Sequence, residues 1–126
     1  DKIGRVIGMP YPGGAAMDAL AKEGDPTAIK LPSPARVGDN ADVSFSGLKT
    51  AALNYINSER QKDNEPSHAD ITASYTRVIV EAIVKKTSWI IEKYKPTQLV
   101  LAGGVAANSR ECSSTELSAD NSVSGC

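Results

Sequence analysis

The chain has 126 residues, of which 40% are hydrophobic and 23% charged, with a formal net charge of -1; this suits one small soluble domain or part of a larger one. So balanced a charge excludes a global basic field for nucleic acid, and any RNA contact needs a local patch of cations or another chain. No apolar run approaches the roughly eighteen residues of a membrane span, and residues 1–5 lack the apolar stretch of a signal peptide, so no membrane is expected and a cytoplasmic location is.

Ile3, Val6 and Ile7 share one face of a short helix. Pro10 and Pro12 then hold the chain extended, and Gly13-Gly14 permits close backbone approach. Residues 15–23 are helix formers stopped by Gly24. Residues 25–41 hold three prolines and read as a loop, with at most a short strand near 29–31. Residues 42–46 alternate with β-prone Val43 and Phe45, Gly47 breaks the run, and a helix over 48–60 places Leu48, Ala51, Ala52, Tyr55 and Ile56 on one face.

Residues 61–68 form a polar linker. The next helix, near 69–95, is the clearest element: Ser67 or His68 begins it, Asp70 favours its dipole, and Pro96 ends it. Its stripe runs through Ile71, Tyr75, Val78, Ile79, Ala82, Ile83, Trp89 and Ile90 and reads as core packing, so a charge at Ile79 or Ile83 is expected to cost several kcal/mol. Lys85 and Lys86 read as a solvated face, with RNA phosphate contact as the functional alternative. Residues 97–102 read as a buried strand packed on that helix, Gly103-Gly104 as a turn, and 105–111 as the start of a further helix. From Cys112 to Cys126 the chain is Ser-rich and poor in apolar residues, and a disordered tail with two free thiols is expected. The fold class is therefore α/β with helix dominating, over residues 1–111.

Three segments carry candidate chemistry. In residues 99–110 a strand runs through two glycines into a helix start, where unpaired N–H groups suit phosphate or ribose oxygens and Asn108 can donate and accept; an ordinary strand–turn–helix explains the same residues. In residues 11–18 the Gly14 backbone suits a sugar or base and Asp18 suits ribose hydroxyls; a helix-initiating turn with a solvated Asp18 is the plainer account. In residues 42–50, Ser44, Ser46 and Lys49 suit an anion, or Ser46 is simply an N-cap; the spacing is not that of a Walker loop. Catalytic residues are not assigned. His68 has no partner at catalytic or metal-ligand spacing and reads as a helix-start residue, and no metal site is expected in the chain.

Taken in order, Asp1-Lys2, YPGG at 11–14, SFSGLKT at 44–50 and VLAGGVAANSR at 100–110 resemble the tRNA threonylcarbamoyladenosine transferase family, also called the glycoprotease or O-sialoglycoprotein endopeptidase family. The stretch from Asp70 through Thr87 resembles it as well, and the likeness covers residues 1–111. The resemblance implies a two-lobed actin-like ATPase fold, of which this chain holds part of the second lobe. It also implies transfer of a threonylcarbamoyl group from threonylcarbamoyl-adenylate to the adenosine beside the tRNA anticodon, within an assembly of partner subunits. It places nucleotide contacts on Asp1, Gly14, Asp18 and Asn108.

The family's divalent metal, iron or zinc, is held by an HxxxH pair and a further aspartate. The pair is not found here, and Asp120 lacks the surrounding motif. The expectation is a fragment, truncated product or diverged paralogue that is not a complete enzyme alone. The alternative is a non-catalytic module that docks on a partner subunit of the tRNA-modification complex. Protease activity is not expected, since HExxH is absent and Cys112 has no nearby base.

Overall fold

A computed structural model describes residues 1–100, 102, 103, 108, 123 and 124. Four helices dominate them: α1 (Lys2–Val6), α2 (Gly13–Ala21), α3 (Phe45–Gln61) and α4 (His68–Tyr94). Two two-residue strands, β1 (Leu99–Val100) and β2 (Val123–Ser124), pair in parallel with Leu99 opposite Val123. The dominance of helix agrees with the sequence reading.

At five residues, α1 is far too short to persist by its own hydrogen bonds. It is held by burying Ile3 and Ile7, the face that the 3–6–7 spacing indicates. Gly8 ends it at φ +81°, a conformation that favours glycine. After the cis Tyr11–Pro12 peptide, α2 starts at Gly13, two residues earlier than expected, with extended Pro12 as its N-cap. Ile3, Ile7 and Met17 join Ile29, Ala52, Ile56 and Ile71 in one apolar cluster, so the core draws on all four helices and on the loop after α2.

That loop is fastened to α4 by polar groups. The Asp25 N–H donates to Asp70 Oδ1 at 2.8 Å, and the buried Ser74 hydroxyl donates to the Asp25 carbonyl at 3.3 Å and accepts from the Ile29 N–H at 3.2 Å. No strand forms at 29–31: Ile29 gives its N–H to a side chain rather than to a ladder and turns its own side chain into the core. Residues 42–46 also depart from expectation. Val43 makes a single antiparallel bridge to Ala35, the Ser44 N–H donates to Pro34 O at 2.7 Å, and α3 then begins at Phe45. Ser44, not Ser46, is therefore the N-cap, and Gly47 sits inside the first turn instead of breaking the chain.

Helix α4 matches the sequence closely. Ser67 Oγ accepts from the Asp70 N–H at 3.3 Å, Lys95 closes the helix in the left-handed conformation, and Pro96 follows. Its burial is broader than one stripe. Ile71, Val78 and Ala82 are buried as expected, Thr72, Ser74 and Val80 are buried too, and Tyr75, Ile79 and Ile83 are only half-buried. Trp89 is half-buried rather than core: its indole N–H donates to Asp39, the Lys93 ammonium lies 4.5 Å from its ring centre, and Tyr94 stands edge-on at 6.2 Å.

Lys86 overturns the reading of a solvated pair. Lys85 is exposed, but Lys86 is buried at 7% exposure. Its ammonium donates to the carbonyls of Arg36 and Asn40, both at 2.7 Å, and to Asn40 Oδ1 at 3.2 Å. An ammonium has three protons and no lone pair, so three oxygens satisfy it completely. It clamps both limbs of the 36–40 turn onto α4.

Of the strand expected at 97–102, the described residues show Leu99–Val100, and Val100 is 65% exposed rather than buried. Among the described residues its hydrogen-bonded neighbour is β2. The helix expected over 105–111 and the thiols of Cys112 and Cys126 lie outside the described residues. Among the described residues no helix is long and apolar enough to cross a membrane.

Candidate functional site

The first group of candidate residues meets where α1 and α2 begin. Asp1 is the N-cap of α1, and its Oδ1 accepts from the Gly13 N–H at 2.8 Å, so a carboxylate satisfies a first-turn donor of α2 that Pro12 has no side chain to cap. Gly13 is buried, whereas Gly14 is exposed and a Cβ there would have nothing within 4 Å. Neither backbone conformation nor packing requires glycine at Gly14. Asp18 lies four residues on, over the same helix face, half-buried and 4.0 Å from the Lys22 ammonium.

The second group sits at the start of α3. Ser44 caps the helix through its backbone without a side-chain cap bond, and Ser46 and Lys49 are exposed along the first turn and a half. The Ser46 carbonyl accepts from the Thr50 hydroxyl at 3.1 Å. Helix α1 packs on both α2 and α3, and its hydrogen bond to α3, from Arg60 to the Val6 carbonyl, lies at the opposite end of α3 from Ser44, Ser46 and Lys49. Asn108 is half-buried outside any helix or strand; the residues flanking it are not described. Gly103 takes φ +97°, which favours glycine and fits the turn read from sequence.

His68 is, as expected, the first residue of α4. Its Nε2 lies 3.0 Å from Glu65 Oε1, and Glu65 also receives Arg60 Nε at 3.1 Å and Nη2 at 3.0 Å. Arg60, and after it His68, holds the Glu65 carboxyl well below its ordinary 4.5, at about 2. Because the folded value is the lower one, whatever these contacts add to stability is complete above the unfolded value and disappears as pH falls toward 2. All three side chains meet solvent, so this contribution is small. Among the described residues no three His, Cys, Asp or Glu side chains come together as metal ligands. With the single histidine already set against Glu65, the described residues do not fit a metal.

Sequence reasoning missed three residues that shape this region. Lys86 and Arg60 bond to backbone carbonyls 46 to 54 residues away in the chain, which no local pattern signals. Gly24 was legible only as a helix stop, yet a Cβ on it would lie 2.0 Å from the Ala69 carbonyl oxygen.

Comparison with known proteins bears directly on this geometry. The family model TsaD, tRNA N6-adenosine threonylcarbamoyltransferase, matches residues 1–123. A tRNA N6-adenosine threonylcarbamoyltransferase of Moorella thermoacetica is 45% identical over 109 residues, covering 86% of this chain and 32% of the relative. That of Anaeromyxobacter dehalogenans strain 2CP-1 is 49% identical over 110 residues, covering 87% and 33%. That of Clostridium botulinum strain 657 is 42% identical over 119 residues, covering 89% and 35%. The chain thus spans about a third of the length of the curated relatives it matches.

Proposed function

Because the chain belongs to the tRNA N6-adenosine threonylcarbamoyltransferase family, we propose that it forms one wall of the adenylate site of such an enzyme. The reaction moves a threonylcarbamoyl group from threonylcarbamoyl-adenylate to the adenosine beside the tRNA anticodon. In this reading the chain is part of the second lobe of an actin-like ATPase. The divalent metal, iron or zinc, and the partner subunits are contributed from beyond the described residues, and the setting is the cytoplasm.

One observation carries the reading: the Asp1 carboxylate is bonded to the first turn of α2, beside an exposed Gly14 with open space where a side chain would stand. Asp1 already takes the Gly13 N–H, and the first-turn N–H groups beyond it suit ligand oxygens. Asp1 orients the turn, Gly14 admits a ligand oxygen close to the backbone, and Asp18, one turn along, suits ribose hydroxyls. Asn108 is the fourth contact, reading or orienting the base. Ser44, Ser46 and Lys49 at the start of α3 supply a secondary anion contact.

Isothermal titration of the 126-residue chain with AMP tests this. Gly14→Ala should weaken binding by about tenfold, since a methyl group occupies the approach path, with thermal stability equal or slightly raised because alanine is the better helix former. Wild-type chain that takes up no AMP, or Gly14→Ala that binds as tightly, would overturn the reading. The second reading, a docking module for a partner subunit, is favoured by the exposure of Tyr94 at 66% and Val100 at 65%. Capture of a partner subunit by a chain that binds no nucleotide would select it.

A further inference from the structure

Helix α1 lies on α2 across glycines: a Cβ on Gly4 would stand 3.6 Å from Gly13 Cα and 3.3 Å from Met17 Sδ. Such a contact lets the backbones approach but offers few ridges to lock one helix against the other along its axis. The burial of Ile3 and Ile7 keeps α1 on the core, and polar bonds fix its two ends. At the first end, Asp1 Oδ1 takes the Gly13 N–H. At the other, Arg60 Nη2 donates to the Val6 carbonyl at 3.3 Å. The guanidinium is itself held: Glu65 accepts from its Nε and Nη2 at 3.0 to 3.3 Å, and His68, on the first turn of α4, backs Glu65 at 3.0 Å. Glu65 precedes the buried Pro66, so this solvent-facing anchor sits on the α3–α4 connection.

We infer that Arg60 is a positioning residue for Asp1: by gripping the last carbonyl of α1 it sets the placement of the carboxylate at the opposite end of that helix on Gly13. The two ends are roughly 7.5 Å apart at helical rise, about a turn and a half held on the core by Ile3 and Ile7, so a shift at Val6 is passed on to Asp1. The functional consequence for adenylate binding rests on the reading above; the coupling of Arg60 to Asp1 does not.

Amide hydrogen exchange of the full chain, followed by NMR, separates the two. Arg60→Lys keeps a cation opposite Glu65, but a single ammonium cannot fork across the carboxylate and also reach Val6; Arg60→Gln removes the charge as well. In both variants the Gly13 amide should exchange about fivefold faster than in wild type, the effect of losing one side-chain hydrogen bond, while amides of residues 78–82 in α4 keep their wild-type rates. Unchanged Gly13 exchange would overturn the inference. So would equal acceleration at 78–82, which marks a general structural role. If wild type binds AMP, Arg60→Lys should also raise its Kd about threefold to fivefold by the same loss. If wild type binds none, the adenylate reading fails while the exchange result still decides the coupling.

Discussion

Gly24→Ala should lower the free energy of unfolding by about 3 kcal/mol or more, at the upper end of overpacking effects. A Cβ at this position would stand 2.0 Å from the Ala69 carbonyl oxygen, 2.2 Å from its carbon and 2.7 Å from the Asp70 nitrogen. These are backbone atoms of the first turn of α4, with no rotamer to yield. Relief requires moving the end of α2 away from α4, which pulls on the Asp25–Asp70 and Asp25–Ser74 bonds that begin one residue later. Chemical denaturation monitored by helical circular dichroism reads the effect directly. Gly14→Ala serves as the control: the same methyl group, placed where nothing lies within 4 Å, should leave the midpoint equal or slightly raised. A Gly24→Ala midpoint equal to that of Gly14→Ala would show that the α2–α4 approach is looser than described.

Ile71→Lys should be still more damaging, abolishing cooperative unfolding at ambient temperature. Ile71 is 2% exposed and belongs to the cluster that joins the four helices. An ammonium there is buried without a carboxylate or a set of oxygens to receive it, which costs several kcal/mol in a domain whose whole stability is of that order. The informative comparison is Ile83→Lys on the same helix. Ile83 is half-buried, so a lysine stem can lie along the apolar surface while its charge reaches water, and the expected loss is about 1 kcal/mol. Equal destabilisation by the two changes would return Ile83 to the core face that helical periodicity assigns it.

That comparison shows where the sequence was legible. The limits of α4 were readable because they are chemical: a serine that caps, an aspartate in the first turn, and a proline that cannot continue the helix. Its stripe was only partly readable. Spacing gives one face, but α4 is covered on more than one, and residues such as Thr72 and Ser74 are buried because their hydroxyls have backbone partners: Thr72 donates to His68 O at 2.9 Å, and Ser74 bonds to the loop. The start of α3 was misread because Val43 and Phe45 alternate as a strand does; one bridge at Val43 is all the pairing that follows, and Phe45 opens the helix at 40% exposure. At the candidate site, residue types pointed to Gly14 and Asp18 and the family resemblance to Asp1, but the bond from Asp1 to Gly13 spans twelve positions and emerges only with the packing of α1 on α2.

Lys86 has a chemical consequence. An amine attacks an acylating reagent through the free lone pair of its neutral form, and this nitrogen has all three of its protons committed to oxygens of the 36–40 turn while its surroundings exclude solvent. Its neighbour Lys85 is exposed. Brief treatment of the native chain with an amine-directed label, followed by peptide mass mapping, should therefore tag Lys85 and leave Lys86 unreacted. Any slow appearance of label on Lys86 would time the opening of that turn, making two adjacent lysines an internal clock for local unfolding.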